Sequence, residues 1–199
     1  MSQLTTTFCL TIAVLLGSVG MSASADFQTG LTAYKSGDYV TALREWKPLA
    51  KQGDAAAQFS LGVMYANGTG VLQDYKTAVK WWKLSAKQGN ARAQSNLGFM
   101  YEKGQGVPQD YKTAVKWYRL AAKQGHFRAQ SNLGFMYGNG KGVIQDNVYA
   151  HMWFNIAASS GNKIAVKNRD IIANQMTPDQ IAEAQKLARE CVRKKYNGC

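Results

Sequence analysis

A strict 36-residue repeat constrains this chain more than any other feature. The copies begin at Asp38, Asp74, Asp110 and Asp146. A glycine follows fifteen residues after each aspartate, and residues 74–109 and 110–145 are identical at 27 of 36 positions without a gap. A period of about 20 to 50 residues indicates a solenoid, because so small a unit buries its apolar face only by stacking on its neighbours. We therefore expect function to lie in an extended surface.

Residues 1–25 are predicted to be a secretory signal peptide, cleaved before Asp26. They carry no charged side chain, contain an apolar run from Phe8 to Val19 and close with Ala23-Ser24-Ala25, as a cleavage site does. The leading segment lacks the usual Lys or Arg, so an uncleaved anchor is the alternative, although the run is shorter than the roughly 20 residues that span a bilayer. Lipid attachment at Cys9 is disfavoured because Cys9 precedes most of the apolar run. We expect an exported, periplasmic or secreted protein with no stable membrane insertion after cleavage.

The mature chain, residues 26–199, is predicted to be one basic domain. It keeps all 24 Lys and Arg and all 12 Asp and Glu, hence the net charge of +12, which favours acidic partners and surfaces. Its two cysteines, Cys191 and Cys199, are predicted to form a disulfide in an oxidising compartment, with Asn197-Gly198 supplying the turn. Two free thiols are the alternative.

Each copy is predicted to form a helical hairpin. Over residues 74–88 an apolar face around Ala78 and Trp82 lies opposite a narrow ridge of lysines, and residues 90–101 carry a second apolar face at helical spacing. Gly98 lies inside the second helix and recurs in the neighbouring copies. We expect it to mark a close helix approach.

The repeat carries a family resemblance. Its segments Ala93-Gln94-Ser95-Asn96-Leu97-Gly98-Phe99-Met100-Tyr101 and Gly104-Gln105-Gly106-Val107-Pro108-Gln109-Asp110-Tyr111 resemble the Sel1-like repeat, a relative of the tetratricopeptide repeat, over residues 30–161. The resemblance implies an all-α fold, a right-handed α/α superhelical solenoid of helix pairs that serves as a scaffold for other proteins. Its ending resembles that of exported bacterial members.

The repeat is expected to stop in the fourth copy. There the Leu-Gly positions become Arg169 and Asp170. Thr177-Pro178-Asp179-Gln180 reads as a capping box with proline at the first helical position, and it predicts a C-terminal capping helix over about 178–193.

No catalytic or metal-binding pattern is evident. His126, at an interhelix turn, and His151, placed on the lysine side of its helix, are predicted to be surface residues, and the carboxylates are scattered singly. We therefore predict no enzyme, no metal and no cofactor. Cysteine-rich members of the family have been linked to β-lactam chemistry, which leaves a β-lactam or cell-wall peptide hydrolase as an unfavoured alternative; this chain lacks their cysteine pair in each repeat.

Eleven cations on the first helices form what we call the basic band. They are Arg44, Lys47, Lys51, Lys76, Lys80, Lys83, Lys87, Lys112, Lys116, Arg119 and Lys123. If the copies stack in register, this band could attract an acidic protein or an anionic envelope polymer; alternatively, it is a solvated outer face. Nucleic acid is disfavoured as a partner, because the aromatic residues lie on the apolar side and not between the lysines.

A second ridge, on the shorter helices, is the predicted protein-binding surface. Its members are Arg92, Ser95, Asn96, Phe99, Arg128, Ser131, Asn132 and Phe135. An aromatic anchor among polar groups is typical of recognition surfaces, and solenoids bind through an extended concave face. The alternative is that Phe99 and Phe135 pack between repeats. The leading hypothesis is a non-enzymatic exported scaffold that binds another protein.

Overall fold

The computed structural model describes residues 25–199, in which ten α-helices and no strand are found. The helices are α1 (Phe27–Ser36), α2 (Tyr39–Lys51), α3 (Ala55–Asn67), α4 (Tyr75–Lys87), α5 (Ala91–Lys103), α6 (Tyr111–Ala122), α7 (Phe127–Gly138), α8 (Asn147–Ser159), α9 (Lys163–Ala173) and α10 (Pro178–Arg193). The predicted all-α fold is confirmed. The signal peptide prediction lies outside the described residues. Over the described part of the chain, every helix is too short or too polar to cross a membrane.

Side-chain caps and glycines set the ends of the hairpin helices. The carboxylate of Asp74 accepts hydrogen bonds from the backbone N–H groups of Lys76 and Thr77, which satisfies donors that the first turn of α4 leaves free. The Thr77 side chain and backbone N–H also hold the pKa of Asp74 below its usual value. At the other end of a hairpin, Gly104 takes a left-handed φ of 69° directly after α5, a conformation that glycine adopts without strain.

The helices stack as successive hairpins, and their buried apolar residues form four clusters along the stack. α4 packs extensively against α3 of the preceding hairpin and also against α5 of its own, and the same pattern holds for α6 and α8. α5 additionally contacts α7, its counterpart in the next hairpin. We place α3, α5 and α7 on the inner side of the stack because α5 reaches α7 directly and residues of all three helices line a common cavity.

A glycine facing an aromatic ring marks each contact between neighbouring hairpins. The pairs are Gly30 with Trp46, Gly62 with Trp82, Gly98 with Tyr118 and Gly134 with Phe154. A Cβ atom added to Gly134 would lie 2.7 Å from the Phe154 ring, closer than real contacts allow. The missing side chain therefore lets each ring lie against the backbone of the helix before it. The close approach expected at Gly98 is confirmed, and Trp82 and Tyr118 have equivalent surroundings.

Buried glutamines form a second, polar link between hairpins. The Nε2 group of Gln94 donates to the carbonyl oxygen of Ala86 at 3.1 Å, and its Oε1 accepts from Nε2 of Gln124 at 2.8 Å. Gln58 and Gln88 make the same contact one repeat earlier at 2.9 Å. The ladder ends at Gln130, which is fully buried and whose Oε1 has no hydrogen-bond partner within the described residues.

The C-terminal segment folds back instead of extending the stack. α10 packs against α8 and not as the next helix after α9, and its start has both hydrogen bonds of a capping box between Thr177 and Gln180. A disulfide joins Cys191 to Cys199, with the two Cα atoms 5.6 Å apart. These contacts fasten the chain end against the apolar cluster formed by α6, α7 and α8.

One expectation about the histidines is wrong. His151 is only 3% exposed and does not lie on the lysine side of α8. Thirty-six residues before it stands Val115, which is buried as well, whereas Lys116 corresponds to Met152. The predicted register of His151 was therefore one residue out, and the helix turns it by about 100° into the interior.

Candidate functional site

Three neighbouring cavities form a groove along the inner helices. Their volumes are about 890, 800 and 810 Å³. The first two share Phe59, Val63 and Arg92 in their walls, and the last two share Asn96 and Phe99. Because adjacent cavities share wall residues, they form one open channel, which we call the groove.

The predicted binding ridge lines this groove, with one correction. In α5 the solvent-facing stripe consists of Arg92, Asn96 and Phe99, and α7 repeats it with Arg128, Asn132 and Phe135. Ser95 and Ser131 were expected on the same ridge, but they are only 5% and 6% exposed. α5 packs against α4, α6 and α7, so its free stripe is narrower than the sequence pattern suggested, and the serines lie in the floor of the groove.

The two phenylalanines are both packed and exposed. Phe99 is 41% exposed and Phe135 is 44% exposed. The Phe135 ring meets the Phe154 ring edge-on, with centroids 5.3 Å apart, and the Lys103 ammonium lies 5.7 Å from the centre of the Phe99 ring. Each ring is thus held on one side by the protein and offers its other side to a ligand, as an anchor residue does.

His126 and Phe127 belong to the groove although the sequence interpretation did not place them there. Phe127 is 37% exposed and lines all three cavities, and the His126 ring stacks on it with centroids 6.0 Å apart. His126 also caps α7, since its Nδ1 accepts the backbone N–H of Ala129 at 3.4 Å. Asn90 and Ala91 hold these two positions in the preceding copy, so the change from small to aromatic residues was a signal available in the sequence.

The groove is positively charged. Its charged wall residues are Arg92, Arg128 and Lys163, and none of the described residues that line the three cavities is Asp or Glu. Burial lowers the pKa of His126, and the charges of Arg128 and Arg92 lower it further. The imidazole is therefore neutral at pH 7, consistent with its Nδ1 acting as an acceptor.

The basic band lies on the other helices of each hairpin. Ten of its members are exposed and Lys83 is half-buried. Arg44 pairs with Glu45 at 3.0 Å, the Lys83 ammonium lies 5.7 Å from the centre of the Tyr101 ring, and Arg119 donates to the hydroxyl of Tyr137 at 2.7 Å. The remaining members are exposed to solvent on α2, on α4 and on α6 with the residue that follows it.

Grouped metal-ligating side chains are not found in the part of the chain that the structure describes, where no three His, Cys, Asp or Glu come together. The buried Tyr118 hydroxyl donates to Glu102 Oε2 at 2.8 Å, and burial, reinforced by the Glu102 carboxylate, raises the pKa of Tyr118 far above its usual value. Tyr118 therefore stays protonated and serves packing.

Comparison with known proteins gives one family. The Sel1 repeat model matches residues 55–90, 91–126 and 127–162. A Sel1 repeat protein from Oxalobacter formigenes is similar in structure, with a TM-score of 0.66, 30% identity and coverage of 83% of this chain and 75% of that one.

A second solved structure is c5321, a protective antigen present in uropathogenic Escherichia coli strains that displays an SLR fold. Its TM-score is 0.61 at 26% identity, and the alignment covers 85% of this chain but only 46% of c5321. Among curated proteins there is no match. The three matched segments span more than half of the chain, and this protein belongs to the Sel1 repeat family.

Proposed function

We propose that this protein is an exported, non-enzymatic scaffold that binds an extended segment of another protein along the groove. Sel1 repeat proteins generally mediate protein–protein interaction. The observation that carries the proposal is the repeated stripe of Arg92, Asn96 and Phe99, which faces the groove and recurs one hairpin later. A scaffold of this kind acts through affinity and position, with no chemical step of its own.

The shape of the groove favours an extended segment over a small molecule. Its three cavities, each of about 800 to 900 Å³, follow one another with shared walls, and each is comparable to a whole ligand pocket. Exposed rings beside amide and guanidinium groups supply anchors for side chains and donors for a backbone. A chain that places one side chain in each cavity would use all of them.

Export is supported by two features of different kinds. The apolar, uncharged residues 1–25 fit a signal peptide. The bridge between Cys191 and Cys199 is a bond that persists in oxidising compartments such as the bacterial periplasm. A cell fractionation with an epitope tag at the C-terminus tests this part: signal in the cytoplasmic fraction alone would contradict it.

The groove is tested by capturing partners from an envelope extract of the native host with two variants. Phe99→Ala plus Phe135→Ala removes two of the three exposed phenylalanine rings of the groove and leaves Phe127 in place, and we expect partner recovery to fall at least tenfold. Leu72→Ala plus Ile144→Ala is the matched control, since these side chains are 91% and 90% exposed and line none of the three cavities. Circular dichroism checks that both variants are folded. Equal recovery by both variants would count against the groove.

The basic band supports a second candidate, attachment to an anionic envelope polymer. The basic band carries exposed cations at matching positions, such as Lys80 and Lys116, and a long row of fixed charges attracts a polyanion by releasing its counterions. Retention on immobilised dextran sulfate should then fall steeply between about 50 and 300 mM salt, and Lys80→Ala plus Lys116→Ala should weaken it. Salt-independent retention would exclude this function.

A further inference from the structure

The third copy of the repeat differs from the others at the centre of the groove. At the two positions where its inner helix begins, the other copies have Asp54-Ala55, Asn90-Ala91 and Asn162-Lys163, and the third has His126-Phe127. Phe127 contributes to the walls of all three cavities, so it stands at their junction. Of the four copies, only the third has aromatic residues at these two positions.

Cations surround this aromatic pair. Arg92 and Arg128 line the same cavity as Phe127, and the Arg128 guanidinium lies 5.9 Å from the centre of the Phe127 ring. Neither arginine forms an ion pair with any of the described residues. A guanidinium without a carboxylate partner keeps its donors available for one on a ligand.

We infer that the occupant of the groove is an acidic peptide segment whose carboxylates meet Arg92 and Arg128 and whose aromatic side chain stacks on Phe127. This inference rests on the proposed function and specifies its partner. It follows from charge complementarity, because the groove combines unpaired guanidinium groups with exposed rings and, among residues 25–199, no Asp or Glu lines its walls. A basic or purely apolar segment would leave these groups desolvated and unpaired.

The direct test is fluorescence anisotropy of the purified protein with three labelled ten-residue peptides. The first combines glutamates with one central Phe, the second replaces each Glu by Lys, and the third replaces the Phe by Ala. We expect the first peptide to bind at least tenfold more tightly than either of the others. Since Ala91 holds the equivalent position in the preceding copy, Phe127→Ala should fold, and it should abolish the preference of the protein for Phe over Ala in the peptide.

Two double variants separate recognition in the groove from general attraction to a basic protein. Arg92→Ala plus Arg128→Ala and Lys80→Ala plus Lys116→Ala each remove two positive charges, the first pair from the groove and the second from the basic band. We expect the double arginine variant to bind the acidic peptide at least tenfold more weakly than the wild type, and the double lysine variant less than twofold more weakly.

Equal weakening by the two pairs would overturn the inference, as would a Phe127→Ala variant that still prefers the Phe peptide. If either result occurs while partner capture still depends on Phe99 and Phe135, the groove remains the binding site and only the acidic aromatic partner is refuted. If partner capture does not depend on Phe99 and Phe135 either, the proposed function is refuted as well.

Discussion

The unfinished end of the glutamine ladder predicts that a single substitution will stabilise the protein. In the complete steps, Gln88 and Gln124 reach back to the buried Oε1 of Gln58 and Gln94 at 2.9 and 2.8 Å. At the next step Ser160 stands where Gln124 stands one repeat earlier. Its hydroxyl is too short to complete the step, so Gln130 Oε1 keeps no partner within the described residues.

Replacing Ser160 by Gln should complete the ladder. The backbone of Ser160, with φ −88° and ψ 11°, nearly repeats that of Gln88, with φ −86° and ψ 7°, so the new side chain starts from a suitable conformation. A hydrogen bond of this kind contributes about 1 kcal/mol net, and ordering an exposed glutamine offsets part of it. For a domain of this size we expect Tm to rise by about 2 °C.

Thermal and urea unfolding followed by circular dichroism measure the effect, with two further variants for comparison. Ser160→Glu has the same length but no N–H donor, so it should give no gain. Gln124→Ser creates the same defect one repeat earlier by leaving Gln94 Oε1 unpaired, and it should cost about 1 to 3 kcal/mol. If Ser160→Gln and Ser160→Glu change Tm equally, the ladder has no part in stability and the reasoning is refuted.

Two other predictions concern the interior. Gly98→Ala should lower the free energy of unfolding by about 1 to 2 kcal/mol, because the new methyl group would lie 2.5 Å from the Tyr118 ring and overpacking outweighs the gain in helix propensity. Gly138→Ala should be neutral in the same urea titration, because its methyl group would meet the flexible end of Ile172 at 3.3 Å and the Cβ atom of Ala150 at an ordinary contact distance of 3.5 Å. His151→Val introduces the residue that the preceding copy has at this position, Val115. It also removes a buried Nδ1 that has no partner among the described residues, so we expect the free energy of unfolding to rise by about 1 kcal/mol at pH 7.5. Burial, aided by the charge of Arg169, lowers the pKa of His151. The unfolded chain therefore binds the proton at higher pH than the folded protein does, and stability falls as pH drops below about 6.5. The variant should lose less stability than the wild type between pH 7.5 and pH 5, and an unchanged pH dependence would show that His151 does not cause the loss.

The stacking of hairpins was predictable from the 36-residue repeat, because a unit this short buries its apolar face only against its neighbours. The recurring glycine at Gly98 indicated a close helix approach, but its partner ring, Tyr118, lies 20 residues further along and no local pattern links the two. The docking of α10 on α8 was not predictable either. It depends on which apolar surface remains uncovered after the repeats have stacked, a property of the assembled fold.

The groove was predicted in part. Helical spacing indicated the stripe of Arg92, Asn96 and Phe99, since residues three and four apart share a face. It did not indicate that the serines would be covered, because burial there depends on how closely neighbouring inner helices approach. Phe127 was missed for another reason: it lies in the first turn of α7, off the stripe, and enters the groove through the arrangement of three hairpins around it.

The equivalence of the contacts between hairpins has a consequence for the gene. An in-frame duplication of 36 codons in the central region would insert a hairpin that offers each neighbour the same glycine, ring and glutamine that it already meets. The segment in which α10 covers α8 and the disulfide closes the chain would be untouched. The groove can therefore lengthen during evolution in whole steps of one hairpin, while the same C-terminal segment still covers the last one.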